Sequence, residues 1–68
     1  MTVTIMKHNT KKYHITLEIK GNCFHVQACP FIGDHLCGYP AAEYTYSINE
    51  KEKAVRTFKR YIKKYTED

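Results

Sequence analysis

The stretch Tyr13-His14-Ile15-Thr16-Leu17-Glu18-Ile19-Lys20-Gly21-Asn22-Cys23-Phe24-His25-Val26-Gln27-Ala28-Cys29 decides the fold. Its first half alternates. Ile15, Leu17 and Ile19 face one way, while His14, Thr16, Glu18 and Lys20 face the other. A period of two marks a half-buried strand. Gly21-Asn22 is a two-residue hairpin signal, because both residues tolerate positive φ. Cys23 to Cys29 alternates again, with Phe24, Val26 and Ala28 on one face. A loop at 21–22 pairs Lys20 with Cys23, Ile19 with Phe24, Leu17 with Val26 and Ile15 with Ala28. Every apolar residue then meets an apolar residue, and a slip of one position destroys the match.

Working outward, Thr2 to Met6 is alternating and β-branched, which predicts a strand over 2–6, with Lys7 to Lys12 a polar connection. Only Lys7 guards this edge against pairing with a copy of itself. On the other side, Pro30 is expected to end the strand by removing a donor. Residues 30–42 hold Gly33, Gly38 and Pro40 and read as a long ordered loop, of a length that points to function. A strand resumes over 43–46, with Tyr44 and Tyr46 on one face. Ser47 and Glu50 fit a capping box, and Asn49 is a second N-cap candidate. Ala54, Val55, Phe58, Tyr61, Ile62 and Tyr65 then recur at helical spacing, which predicts a helix over about 48–65. The expected fold is α+β: an antiparallel sheet of three to four strands, with one C-terminal helix packed on one face (β-β-β-β-α).

The chain has 68 residues, room for a single small domain over 1–68. A chain of this size hides only ~60% of its unfolded surface, so its core is thin. A hydrophobic content of 43%, with six Tyr and three Phe, is too high for disorder. Three cysteines do not make a complete disulfide framework. The opening MTVTIMKHNT carries no apolar core of a signal peptide, and no apolar run approaches a membrane span. These features point to a cytoplasmic protein with reduced thiols. No phosphate loop, paired-carboxylate site or triad is visible, so neither an enzyme nor a cofactor is expected.

Charge is uneven. Residues 1–49 carry a net +1 and residues 50–68 a net +3, and the stretch from Lys53 to Lys64 has six basic residues and no acid. Lys53, Arg56, Arg60, Lys63 and Lys64 fall on one side of the helix, opposite the apolar stripe. Such a face can track phosphates with a salt-dependent affinity. It can equally be a solvated face. Glu50 and Glu52 sit at the positive helix end, the cations lie toward the negative one, and Glu52 and Arg56 are spaced for an i,i+4 pair. Membrane binding is not expected, because the apolar stripe is needed for the core.

Three further groups stand out. The polar sheet face (His14, Thr16, Glu18, Lys20, Cys23, His25 and Gln27) could enter a DNA groove, although it has the single cation Lys20. A wet face is also the ordinary design of an antiparallel sheet. His14, opposite Cys29, could converge with His35 and Cys37 on a tetrahedral zinc ion. No CxxC or HxxxH spacing supports this, and the thiols also read as small apolar fillers. A Cys37–His35 nucleophile pair lacks an orienting group and an oxyanion site. Finally, Phe31, His35 and Tyr39 in the long loop are candidates for contacting a protein partner, with Tyr39 as an aromatic anchor. Otherwise Phe31 and Tyr39 fold the loop back onto the core.

The order strand, hairpin, strand, helix, with Tyr13, Phe24-His25-Val26, Pro30, Glu50 and Ala54, resembles the small β-β-β-α antitoxins of the HicB kind over residues 13–58. That family's Gly-Asp-Thr segment before its helix is absent. By architecture the chain also resembles the three-stranded-sheet DNA-binding domains of transposon integrases. Both are likenesses of fold, which do not imply function.

Together these features describe a small interaction module, of the kind found among bacterial and phage accessory or inhibitor proteins. It would work by occluding a macromolecular partner, such as a protein that handles nucleic acid. The loop would supply shape and the basic helix steering. The alternative is direct nucleic-acid binding through Lys53, Arg56, Arg60, Lys63 and Lys64. A small zinc-binding module is a third reading.

Overall fold

The computed structural model describes residues 2–32, 35–36 and 39–66. Its elements are β1 (Thr2–Asn9), β2 (Tyr13–Lys20), β3 (Cys23–Ile32), β4 (His35–Leu36), β5 (Ala42–Ser47) and α1 (Lys51–Thr66). The expected α+β architecture is present, as one antiparallel sheet with a C-terminal helix on it. β3 is central. β2 pairs along one of its sides and β5 along the other, β1 lies outside β2, and β4 pairs with the end of β3.

The β2–β3 hairpin has the register read from the alternation: Lys20 opposite Cys23, Ile19 opposite Phe24, Leu17 opposite Val26 and Ile15 opposite Ala28. Gly21 takes φ 60° in the turn, where a side chain would be strained.

Three boundaries differ from the sequence reading by more than one residue. Pro30 does not end β3, which continues to Ile32. The Phe31 N–H donates to the Lys12 carbonyl at 2.8 Å, on the β2 side. By alternation, the nitrogen of Pro30 faces the opposite side, beyond the last β5 pair at Ala28 and Ala42. Among the described residues, no ladder bond is lost there. Part of the expected 30–42 loop is therefore sheet, including the short strand β4.

β1 also runs further, to Asn9, because Lys7, His8 and Asn9 pair with Thr16, Ile15 and His14. The Thr10 hydroxyl accepts the Tyr13 N–H at 2.9 Å and closes the connection tightly enough for pairing to continue. The helix starts later than expected. The Glu50 N–H donates to the Ser47 carbonyl at 3.0 Å in a tight turn, and the first full helical bond runs from Ala54 N–H to Glu50 carbonyl at 3.1 Å.

Ile15, Leu17, Phe24, Val26 and Ala28 from the sheet meet Ala54, Phe58 and Tyr65 from α1. Tyr13 packs against this core, its ring 4.4 Å from that of Tyr65. Tyr46 is half-buried and shares a 2.6 Å hydrogen bond with the buried Thr57 hydroxyl. Tyr44, which alternation places on the same face as Tyr46, stays 56% exposed at the rim. α1 rests on β2, β3 and β5. β1 is exposed along its whole length.

Leu17 is fully buried at the centre of this thin core. Leu17→Ala should destabilise the domain by about 3 kcal/mol, a large share of what so small a chain can hold. Urea unfolding followed by circular dichroism measures it, and a loss below about 1 kcal/mol would show that the core lies elsewhere.

Candidate functional site

The outer face of α1 is the surface with the strongest chemical character. The stripe that builds the core fixes it, since covering the sheet turns the opposite side of the helix to water. Lys53, Arg56, Arg60, Lys63 and Lys64 are all exposed, as expected. Lys59 is exposed as well and widens the row. Sequence reading passed over it because it sits at the margin of the arc. Its signal was its place in the six-cation run.

The ion pair expected between Glu52 and Arg56 does not form among the described residues. Lys53 instead pairs with Glu50 at 2.9 Å. Lys64 turns its ammonium over the Tyr65 ring, 5.3 Å from the centroid. Arg56, Lys59, Arg60 and Lys63 make no ion pair among the described residues. Beside the row, Lys51, Glu52, Val55, Arg56 and Lys59 border an open hollow of about 400 Å³.

The capping box fixes how this helix begins. The Glu50 carboxylate accepts the Ser47 N–H at 3.3 Å and the Ser47 hydroxyl at 3.2 Å, besides the Lys53 ammonium. The Lys53 hydrogen bond, followed by those from Ser47, holds the Glu50 carboxyl below its ordinary 4.5. The same bond raises Lys53 above its ordinary 10.5.

The polar sheet face is more self-satisfied than a groove-reading surface. His25 Nε2 lies 3.3 Å from the Glu43 carboxylate and 3.2 Å from the Gln27 side-chain Oε1, and Nδ1 lies 3.2 Å from the Thr45 hydroxyl. With its proton on Nε2, this ring donates to the first two and accepts from Thr45. His14 Nδ1 bonds to the Asn9 side-chain oxygen. Thr16 is buried, and its hydroxyl has no hydrogen-bond partner among the described residues. It borders a shallow hollow of about 520 Å³ with Lys7, His14, Glu18 and Gln27.

Of the loop candidates, Phe31 is half-buried, its ring 6.3 Å from that of His14, and Tyr39 is 84% exposed. The side chain of His35, and Cys37 as a whole, lie outside the described residues. Of the zinc tetrad, His14 and Cys29 are brought opposite each other. Among the described residues, no three His, Cys, Asp or Glu cluster in a way that could hold a metal. No described helix is long and apolar enough to cross a membrane. No family model, curated protein or solved structure matches the chain.

Because the Glu50 carboxyl is lowered on folding, its contribution to stability is present above pH 4.5 and is lost as pH falls through the folded value. Thermal melts of the wild type and Glu50→Gln should therefore differ at pH 6 and converge toward pH 3. A gap that does not change with pH would contradict the capping role.

Proposed function

We propose that the chain is a non-enzymatic binding module that occupies an acidic surface on a protein partner through the outer face of α1. One observation carries this reading. Six exposed cations lie between Lys53 and Lys64, and among the described residues only Lys53 is in an ion pair. Cations left unneutralised on a rigid rod raise association rates with an acidic surface and select against a basic one. The exposed Tyr39 adds an aromatic side chain of the type that anchors protein interfaces.

A protein fits this face better than a row of phosphates does. Glu52 projects among the cations, and the hollow beside it has Val55 in its lining. A surface of mixed sign with an apolar element complements side chains. A phosphate backbone would meet Glu52 as a repulsive group. Occlusion then needs no chemistry from this chain, only a footprint held rigid by the helix.

Direct nucleic-acid binding through the same cations is the second reading, favoured by their linear spacing along one helix. A salt titration separates the two. The chain should recover its protein partner from lysate at low salt, and Arg56→Ala combined with Arg60→Ala should weaken that capture at least ten-fold. Capture that ignores both substitutions would overturn the reading. Direct binding instead predicts duplex or single-stranded shifts whose salt slope falls by about 1 for each cation removed.

A further inference from the structure

The outer edge of β1 is complementary to itself. Residues of β2 alternate in the side to which their backbone groups point. The Lys12 carbonyl bonds Phe31 on β3, and the Tyr13 carbonyl bonds Thr10 on the β1 side. Ile15, Leu17 and Ile19 therefore serve β1, and their partners His8, Met6 and Val3 point inward. Thr2, Thr4, Lys7 and Asn9, which stand opposite Lys20, Glu18, Thr16 and His14, turn their N–H and C=O groups outward. Among the described residues, no strand lies beside these outward groups.

Spacing makes this set unusual. In a regular strand the outward residues are all of one parity. Here the register shifts between Thr4 and Met6, and Ile5 is the extra residue of a β-bulge. The outward set is therefore 2, 4, 7 and 9, which is symmetric about its centre. Laid antiparallel on a second copy, Thr2 meets Asn9 and Thr4 meets Lys7, over the full length of the strand. Each such pair has both backbone groups turned toward the other, and their side chains share the polar face. On the helix side, Val3 meets His8. The bulge in one copy is matched by the bulge in the other, so neither ladder is broken. An unbulged strand of this length has no full-length register of this kind.

We infer that β1 pairs antiparallel with β1 of a second copy about a two-fold axis, joining the two sheets. Charge supports a second copy over an unrelated strand. Lys7 of one copy faces Thr4 of the other, and Thr4 stands opposite Glu18 across β1–β2. The Lys7 ammonium and the Glu18 carboxylate then approach over a short threonine, across roughly 10 Å of backbone spacing that the two side chains close. The apolar groups Val3, Ile5 and Met6, exposed by 51%, 38% and 36%, are drawn into the same seam. The two-fold repeat closes the assembly, which guards both edges at once. This inference does not rest on the partner-binding role of α1.

Sedimentation equilibrium of the full chain at submillimolar concentration should give about twice the 8.0 kDa of the monomer. Isotope-filtered NOEs in a mixed labelled and unlabelled sample should connect Thr4 to Lys7 between copies. Thr4→Pro removes an outward N–H without touching the β1–β2 ladder, so it should yield a monomer with an unchanged circular dichroism spectrum. If that variant fails to fold, Lys7→Glu carries the test. It keeps every backbone group and places like charges near Glu18, and it should weaken dimerisation at least ten-fold. A monomeric wild type, or a dimer that either folded variant leaves intact, would overturn the inference. A dimer without the Thr4–Lys7 contact would overturn it too.

Discussion

One helix has to cover a sheet wider than itself. α1 has 16 residues, which makes it about 24 Å long and roughly 10 Å across. Strands lie about 4.8 Å apart, so a rod of that width shields the centre of this sheet and not both margins. The sequence settles which strands are shielded by placing Ile15, Leu17, Phe24, Val26 and Ala28 beneath Ala54, Phe58 and Tyr65. What the helix does not reach follows from the same geometry. β1 stays bare on the outside of β2, and Tyr44 stays at the rim.

This constraint also sorts the surface by role. The apolar stripe of α1 is committed to the core, which leaves its cations facing water, with Arg56, Lys59, Arg60 and Lys63 in no ion pair among the described residues. The polar face of the sheet is occupied with itself, through His25, Glu43, Gln27 and Thr45. β1 keeps apolar side chains exposed and backbone groups open along its outer edge. The α1 face and the β1 edge are therefore two separate surfaces with different chemistry. One is electrostatic, and the other is a hydrogen-bonding edge.

The hairpin was legible because period and turn chemistry agree there. Ile15 to Ala28 admits one register, and Gly21 supplies the positive φ that the turn needs. The helix was legible from its stripe, and its cationic face with it. Its start was less so, since Ser47 and Glu50 form their contacts one turn before regular helix begins. Pro30 misled for a definable reason. A proline breaks a strand only if its nitrogen faces a neighbour, and that depends on where β5 stops. The reach of β1 was hidden in the same way, because its pairing depends on Thr10 tightening the turn and on a bulge that no local pattern announces. The pairing of Lys53 with Glu50, in place of a Glu52–Arg56 pair, reflects the geometry of the cap, which helical spacing alone does not contain.

Stability resides where the helix covers the sheet, and among the described residues β1 is held to that sheet only along one edge. Amide hydrogen exchange measured on the chain at a dilution where it is monomeric tests this directly. Thr16, Glu18, His25 and Gln27, whose backbone groups lie between β2 and β3, should exchange only through global unfolding. Val3 and His8 of β1 should open at clearly lower free energy, before the core does. Protection of Val3 and His8 equal to that of the β2–β3 amides would contradict the account.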